Sequence, residues 1–166
     1  MSRHVLSVLV ENESGVLSRV AGLFSRRGYN IDSLSVGETE DPAFSRITIV
    51  AHGDDLIIDQ IQRQLDKLIE VKKISDLPSD KSVFRELALI KVETTAEKRA
   101  NVIEIADIFR ANIVDVARES LTIEITGDGS KINAFLELVQ PYGVKEIART
   151  GLTALGRGDH ILKELE

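Results

Sequence analysis

Residues 5–10, VLSVLV, are apolar at all but one position, the pattern of a strand buried on both faces and therefore central in a sheet. Val16, Leu17, Val20, Ala21, Leu23 and Phe24 then recur at helical spacing and define one apolar face. Ser14 is the expected N-cap of that helix, and Gly28 suits the left-handed position just past its end. Residues 31–36 and 46–51 read as the next two strands, joined by a loop around Asp41-Pro42. A second helix is expected from about Asp55, with Ile57, Ile61, Leu65 and Leu68 on its core face, and residues 71–75 supply one more strand. The order is β-α-β-β-α-β.

Residues 77–82, LPSDKS, are polar, contain proline and lack periodicity, so they read as a linker. The same order then recurs. Residues 86–92 form a strand, Thr94 and Glu97 give a capping-box signature, and Val102, Ile105, Ala106 and Phe109 make a helical stripe. Residues 113–117 and 121–126 are strands, the second alternating Leu121, Ile123, Ile125 against Thr122, Glu124, Thr126. Ile132, Phe135, Leu136 and Val139 mark a fourth helix that Pro141 ends, and residues 144–149 are the last strand.

The expected fold class is therefore α+β, two tandem ferredoxin-like (βαββαβ) domains, each an antiparallel sheet with both helices on one face. The expected boundaries are a first domain over 1–76, a linker over 77–83, and a second domain with a C-terminal tail over 84–166. Each domain is of a size at which a single core is marginal, and each leaves one sheet face bare, so pairing with another chain is expected.

Composition narrows the function classes. Hydrophobic residues make up 43% of the 166, enough for packed cores, and no apolar run is long enough to span a bilayer. The N-terminus has neither a signal-peptide nor a transit-peptide pattern, and there is no cysteine for a disulfide framework, so a cytoplasmic location is expected. A net charge of −6 opposes affinity for nucleic acid or anionic membrane, and 4% aromatic residues are too few for a base-stacking surface. His4, His52 and His160 lack metal-ligand spacing, and the acid pairs Glu40-Asp41 and Asp54-Asp55 fall where turns and helix starts are expected. Gly156-Arg157-Gly158 has no third glycine or following helix and is not a dinucleotide fingerprint. No active site is evident.

The loop Asn12-Glu13-Ser14-Gly15 differs, because it joins an inner strand to a helix. Free N–H groups at the helix start receive an anion, and Gly15 permits close approach of a ligand to the backbone. A free amino acid matches this arrangement, with its carboxylate on the helix and its ammonium on an asparagine carbonyl. The plainer alternative is a serine cap, a glycine turn and a strand-ending asparagine; the loop by itself leaves both open.

The stretches ENESGVLSRVAGLFSRRGYNIDSLSVG, SRITIV and ARTGLTALGRGD resemble the regulatory (small) subunit of acetohydroxyacid synthase, also called acetolactate synthase. The resemblance spans essentially the whole chain, and the first half resembles an ACT domain, the ferredoxin-like module that senses amino acids. It implies a chain without catalytic residues, metal or cofactor of its own. It implies a catalytic large-subunit partner carrying thiamine diphosphate, Mg²⁺ and FAD, which the small subunit activates and makes sensitive to valine in branched-chain amino-acid biosynthesis. The runner-up is a free-standing tandem amino-acid sensor for another enzyme or a transcription circuit.

The resemblance also implies a homodimer through the ACT domain, with valine held by Asn12, Gly15, Val16 and Leu17 of one chain and Asn30 and Ile31 of another. Ser14 stands where relatives often carry proline, and Val16 is the bulkier of the residues found at its position. Helix length agrees with the division between chains. A helix of roughly 13 residues places its ends about 20 Å apart, beyond the reach of one valine, and a two-fold dimer would build two identical sites.

Overall fold

The alternation along the chain resolves into two antiparallel sheets, each with a pair of helices against one face. The computed structural model describes residues 2–162. Two units are distinguished: residues up to Phe84 together with those from Leu152 onward, and Arg85–Gly151.

In the first unit, β1 (Ser2–Glu11), α1 (Val16–Arg26), β2 (Ile31–Glu38), β3 (Phe44–Gly53), α2 (Asp55–Asp66) and β4 (Val71–Asp76) follow in turn. The sheet order is β2-β3-β1-β4. Central β1 sends Leu6, Val8 and Val10 to the helix side, where they pack with Ile47, Ile49 and Ala51 of β3, Val20, Leu23 and Phe24 of α1, and Ile58, Ile61 and Leu65 of α2. The other face of β1 is also buried, which accounts for its nearly unbroken apolar run. Val5 and Val50 there form a separate cluster with Leu152 and Ala154, flanked by Leu77 and Phe84.

Leu152 and Ala154 belong to the tail that the sequence reading attached to the second domain. They group with the first unit instead, and the Leu152 N–H donates to Ser33 Oγ at 3.1 Å. A short strand, β9 (Thr153–Gly156), was not anticipated, because four residues give almost no alternation to read.

The second unit contains β5 (Ser82–Glu93), which begins in the first, then α3 (Arg99–Ile108), β6 (Asn112–Val116), β7 (Ser120–Gly127), α4 (Gly129–Val139) and β8 (Val144–Arg149). Its order is β6-β7-β5-β8, with β9 also paired to β5. Ala88, Ile90, Val92, Leu121, Ile123 and Ile125 line the inner face against Val102, Ala106, Ile132, Phe135 and Val139. Phe109 meets Phe135 edge to face, with centroids 5.5 Å apart.

Two caps differ from expectation. Gly15, not Ser14, is the N-cap of α1, at φ 87° and with no side-chain hydrogen bond, so the Ser14 hydroxyl stands one residue too early. Helix α3 starts at Arg99 behind Lys98 instead of at a Thr94/Glu97 capping box. The Thr94 N–H is held by the Glu119 carbonyl at 2.9 Å, and its buried hydroxyl has no hydrogen-bond partner. The two second helices start alike: Asp54 accepts from the Ile57 N–H and Asp128 from the Lys131 N–H, both at 2.9 Å. Each follows a glycine that lets the strand end press on the helix; a Cβ on Gly53 would lie 3.2 Å from Ile57 Cβ, and one on Gly127 3.1 Å from Lys131 Cβ.

Candidate functional site

The first turn of α1 has the properties of an anion receptor. Gly15 supplies a left-handed residue that ordinary side chains avoid, and a Cβ there would meet nothing within 4 Å. The space over the turn is therefore open. The Val16 N–H makes a long contact of 3.5 Å to the Glu13 carbonyl, and the helical ladder begins with Arg19 N–H to Gly15 carbonyl at 3.0 Å. Between them, the N–H groups of Leu17 and Ser18 have no protein acceptor among the described residues. No acidic residue stands in this turn to offset the positive end of the helix dipole.

Asn12 sits beside that turn with its backbone N–H on the Ala43 carbonyl at 2.8 Å. Its side-chain amide donates to Glu38 Oε1 at 3.1 Å and to the Pro42 carbonyl at 2.9 Å. Both donors are thus spent on the protein, which leaves the amide carbonyl as the group Asn12 offers to a ligand. Glu38 and Pro42 are the positioning residues that sequence reading missed. They lie 26 and 30 residues along the chain, and no local pattern reports that proximity.

Val16 and Leu17 divide the work of the turn. Val16 is buried among the core residues of the first unit, whereas Leu17 is 42% exposed and free to cover an apolar group. Val16 therefore presents backbone rather than side chain to the open space.

Asn30 and Ile31 lie at the far end of the sheet. Ile31 pairs with Ala51 of β3, while the Asn12 backbone bonds Ala43 just before that strand. Eight residues at about 3.3 Å each separate the two ends by roughly 25 Å. Asn30 is exposed and donates to Asp32 Oδ1 at 3.2 Å, and Asp32 in turn pairs with His52. Ile31 is half-buried against the core. The fold brings Asn12, Gly15, Val16 and Leu17 together and holds Asn30 and Ile31 apart from them.

Some other ionisable groups of the first unit are paired. His4 Nδ1 lies 2.9 Å from Asp76, and Lys72 lies 2.8 Å from Glu11. Among the described residues no group of histidines and acids has the arrangement of a metal site, and no helix is long and apolar enough to cross a membrane.

Comparison with known proteins places both units. Residues 6–73 match the model of the AHAS small subunit-like ACT domain, and residues 85–158 match the model named small subunit of acetolactate synthase. A probable acetolactate synthase small subunit from Archaeoglobus fulgidus is 54% identical over 95% of this chain and 98% of its own. An acetolactate synthase small subunit from Mycobacterium bovis is 54% identical over 93% of this chain and 92% of its own. The crystal structure of the acetolactate synthase small subunit from Thermotoga maritima superposes with a TM-score of 0.89 at 45% identity, covering 96% of this chain and all of that one.

Proposed function

The chain belongs to the family of acetolactate synthase small subunits, and from that premise we propose that it is the non-catalytic regulatory subunit, which binds the catalytic large subunit, raises its activity and makes it respond to valine. The observation that supports the effector assignment is the first turn of α1, where the Leu17 and Ser18 N–H groups have no acceptor among the described residues, Gly15 leaves open space, and Asn12 spends both amide donors but not its carbonyl. The N–H groups take the α-carboxylate, the Asn12 carbonyl takes the α-ammonium, and Leu17 covers the isopropyl group.

Asn30 and Ile31 of a second copy complete the site. Within one chain they stand too far away, so a shared ligand requires a homodimer through the ACT domain, and two-fold symmetry then builds the site twice. The thiamine diphosphate, Mg²⁺ and FAD chemistry belongs to the large subunit, beside which this chain works in the cytoplasm.

Burying the isopropyl group contributes about 1.5–3 kcal/mol, and a charge-assisted hydrogen bond at each end about the same again before association costs. Micromolar to millimolar affinity follows, the range suited to a metabolite pool. One methylene is worth about 1–3 kcal/mol, so leucine binds more weakly at the same place. Inhibition arises because valine and the active arrangement of the complex oppose each other reciprocally.

The test mixes purified chain with large subunit and titrates valine. The expected result is a raised synthase rate that valine lowers, with no synthase activity from this chain alone. A mixture that behaves like the large subunit by itself, with and without valine, overturns the reading.

A further inference from the structure

The outer face of the first sheet carries a cavity of about 670 Å³. That size falls in the range of about 300–1,000 Å³ typical of small-molecule sites. Arg46 and Lys73 both stand opposite Leu9, on either side of β1, so they share the face away from the helices at two strand spacings, roughly 10 Å. Lys81 is the third permanent cation of the lining, against the two carboxylates Glu40 and Asp76. Asp76 is already held by His4. None of the three cations makes an ion pair among the described residues.

Two features of the cavity are incompletely satisfied among the described residues. Arg46 is partly desolvated and finds only the neutral Ser7 hydroxyl, to which its Nη1 donates at 2.7 Å. Burial lowers its pKa, with Glu40 opposing. Arg46 forms no direct ion pair among the described residues, so an anion can still add a charge-assisted bond to it. Ser82, which also lines the cavity, is 3% exposed, and its buried hydroxyl has no hydrogen-bond partner among the described residues. A buried hydroxyl without a partner costs free energy unless something else supplies the bond. The tail forms the opposite wall with apolar groups, including Leu155, 58% exposed, and Leu162.

We infer that this cavity, bounded by Arg46, Lys73, Lys81 and Ser82 on one side and Leu155 and Leu162 on the other, binds a small amphipathic carboxylate. The anionic end takes the cations and the Ser82 hydroxyl, and a short hydrocarbon end takes the leucines. The site is distinct from the α1 turn, which belongs to the helix side of the same sheet.

The experiment titrates the full chain calorimetrically with 3-methylbutanoate and, in a parallel arm, with inorganic phosphate. Saturable binding of 3-methylbutanoate is expected, with a loss of roughly a hundredfold in the double variant Lys73→Gln/Lys81→Gln, since each lost charge-assisted bond is worth about tenfold. Ser82→Ala, which keeps the packing volume, is expected to weaken binding severalfold, and saturable binding is expected to persist in Gly15→Asp, where the α1 turn is blocked. Absence of saturable binding, equal affinity in the double lysine variant, or loss in Gly15→Asp each overturns the proposal. Phosphate binding without 3-methylbutanoate binding also overturns it, by showing a site for charge alone.

Discussion

The two halves repeat one order of elements yet differ at the start of their first helix. In the first half Gly15 opens α1, two N–H groups have no acceptor among the described residues, and a Cβ on Gly15 would meet nothing within 4 Å. In the second, α3 begins at Lys98-Arg99, and the Arg99 guanidinium donates to the Ala117 and Arg118 carbonyls. The same fold thus offers an anion receptor once and a cationic, tied-down turn once. The proposed ligand chemistry rests on a few residues at one helix end, not on the ferredoxin-like architecture.

The outer sheet faces differ as well. Val5, Ser7, Leu9, Thr48 and Val50 of the first are all buried, Val5 and Val50 in the cluster that Leu152 and Ala154 complete. The corresponding face of the second carries Lys91, Thr122, Glu124 and Glu146 with a partly exposed Leu89, and none of them is buried. A face of mixed charge tolerates water, whereas a face built on valines needs a cover.

The largest effect should come from the cores, which are built alike in the two units. Phe24→Ala and Phe135→Ala are each expected to cost about 3–5 kcal/mol by chemical denaturation, because both rings are fully buried. Markedly unequal losses would show that the two helix layers do not carry equal packing.

Leu152→Ala tests the difference between the outer faces. A loss of about 2–4 kcal/mol is expected, with faster amide exchange in β1 and β3 and unchanged exchange in β7. Acceleration confined to β7 would contradict the assignment of this residue to the first unit.

Gly15→Asp asks whether only the first helix start is a receptor. Its carboxylate would stand over the turn and repel the ligand's, so the valine concentration for half-maximal response should rise at least about tenfold, equivalent to about 1.4 kcal/mol. Lys98→Asp at the start of α3 should leave that response unchanged. Equal effects of the two variants on the valine titration would remove the distinction.

The smallest effects concern the shared feature, the aspartate caps of the second helices. Asp54→Ala and Asp128→Ala should each cost about 1 kcal/mol in melting experiments. Hydrogen bonds from the Lys131 N–H and the Ser130 hydroxyl hold the Asp128 carboxyl below its ordinary pKa. Its contribution is therefore complete above the ordinary carboxylate value and lost as pH falls through the lowered one. Asp128→Asn should flatten that part of the acid titration of stability; an unchanged profile would dissociate the shift from the cap.

The sequence by itself determined the element order, the two-fold repeat and the helix-facing cores. Those follow from apolar periods along a local stretch, and the strand of residues 144–149 was legible to the residue. It also marked the loop from Asn12 to Gly15 that the proposed function uses, since these residues are neighbours in the chain. Caps were less legible: Ser14 and Thr94 have the right chemistry for capping, but backbone geometry at Gly15 and the bond from Thr94 to Glu119 decided otherwise. Only the tertiary structure decided what Asn12 presents, because Glu38 and Pro42 occupy its donors from distant positions. The same holds for the tail. Leu152 and Ala154 look like any short apolar pair, and only the fold shows that Val5 and Val50 await them. Periodicity records which side of an element is apolar; it carries no record of which distant segment will cover it.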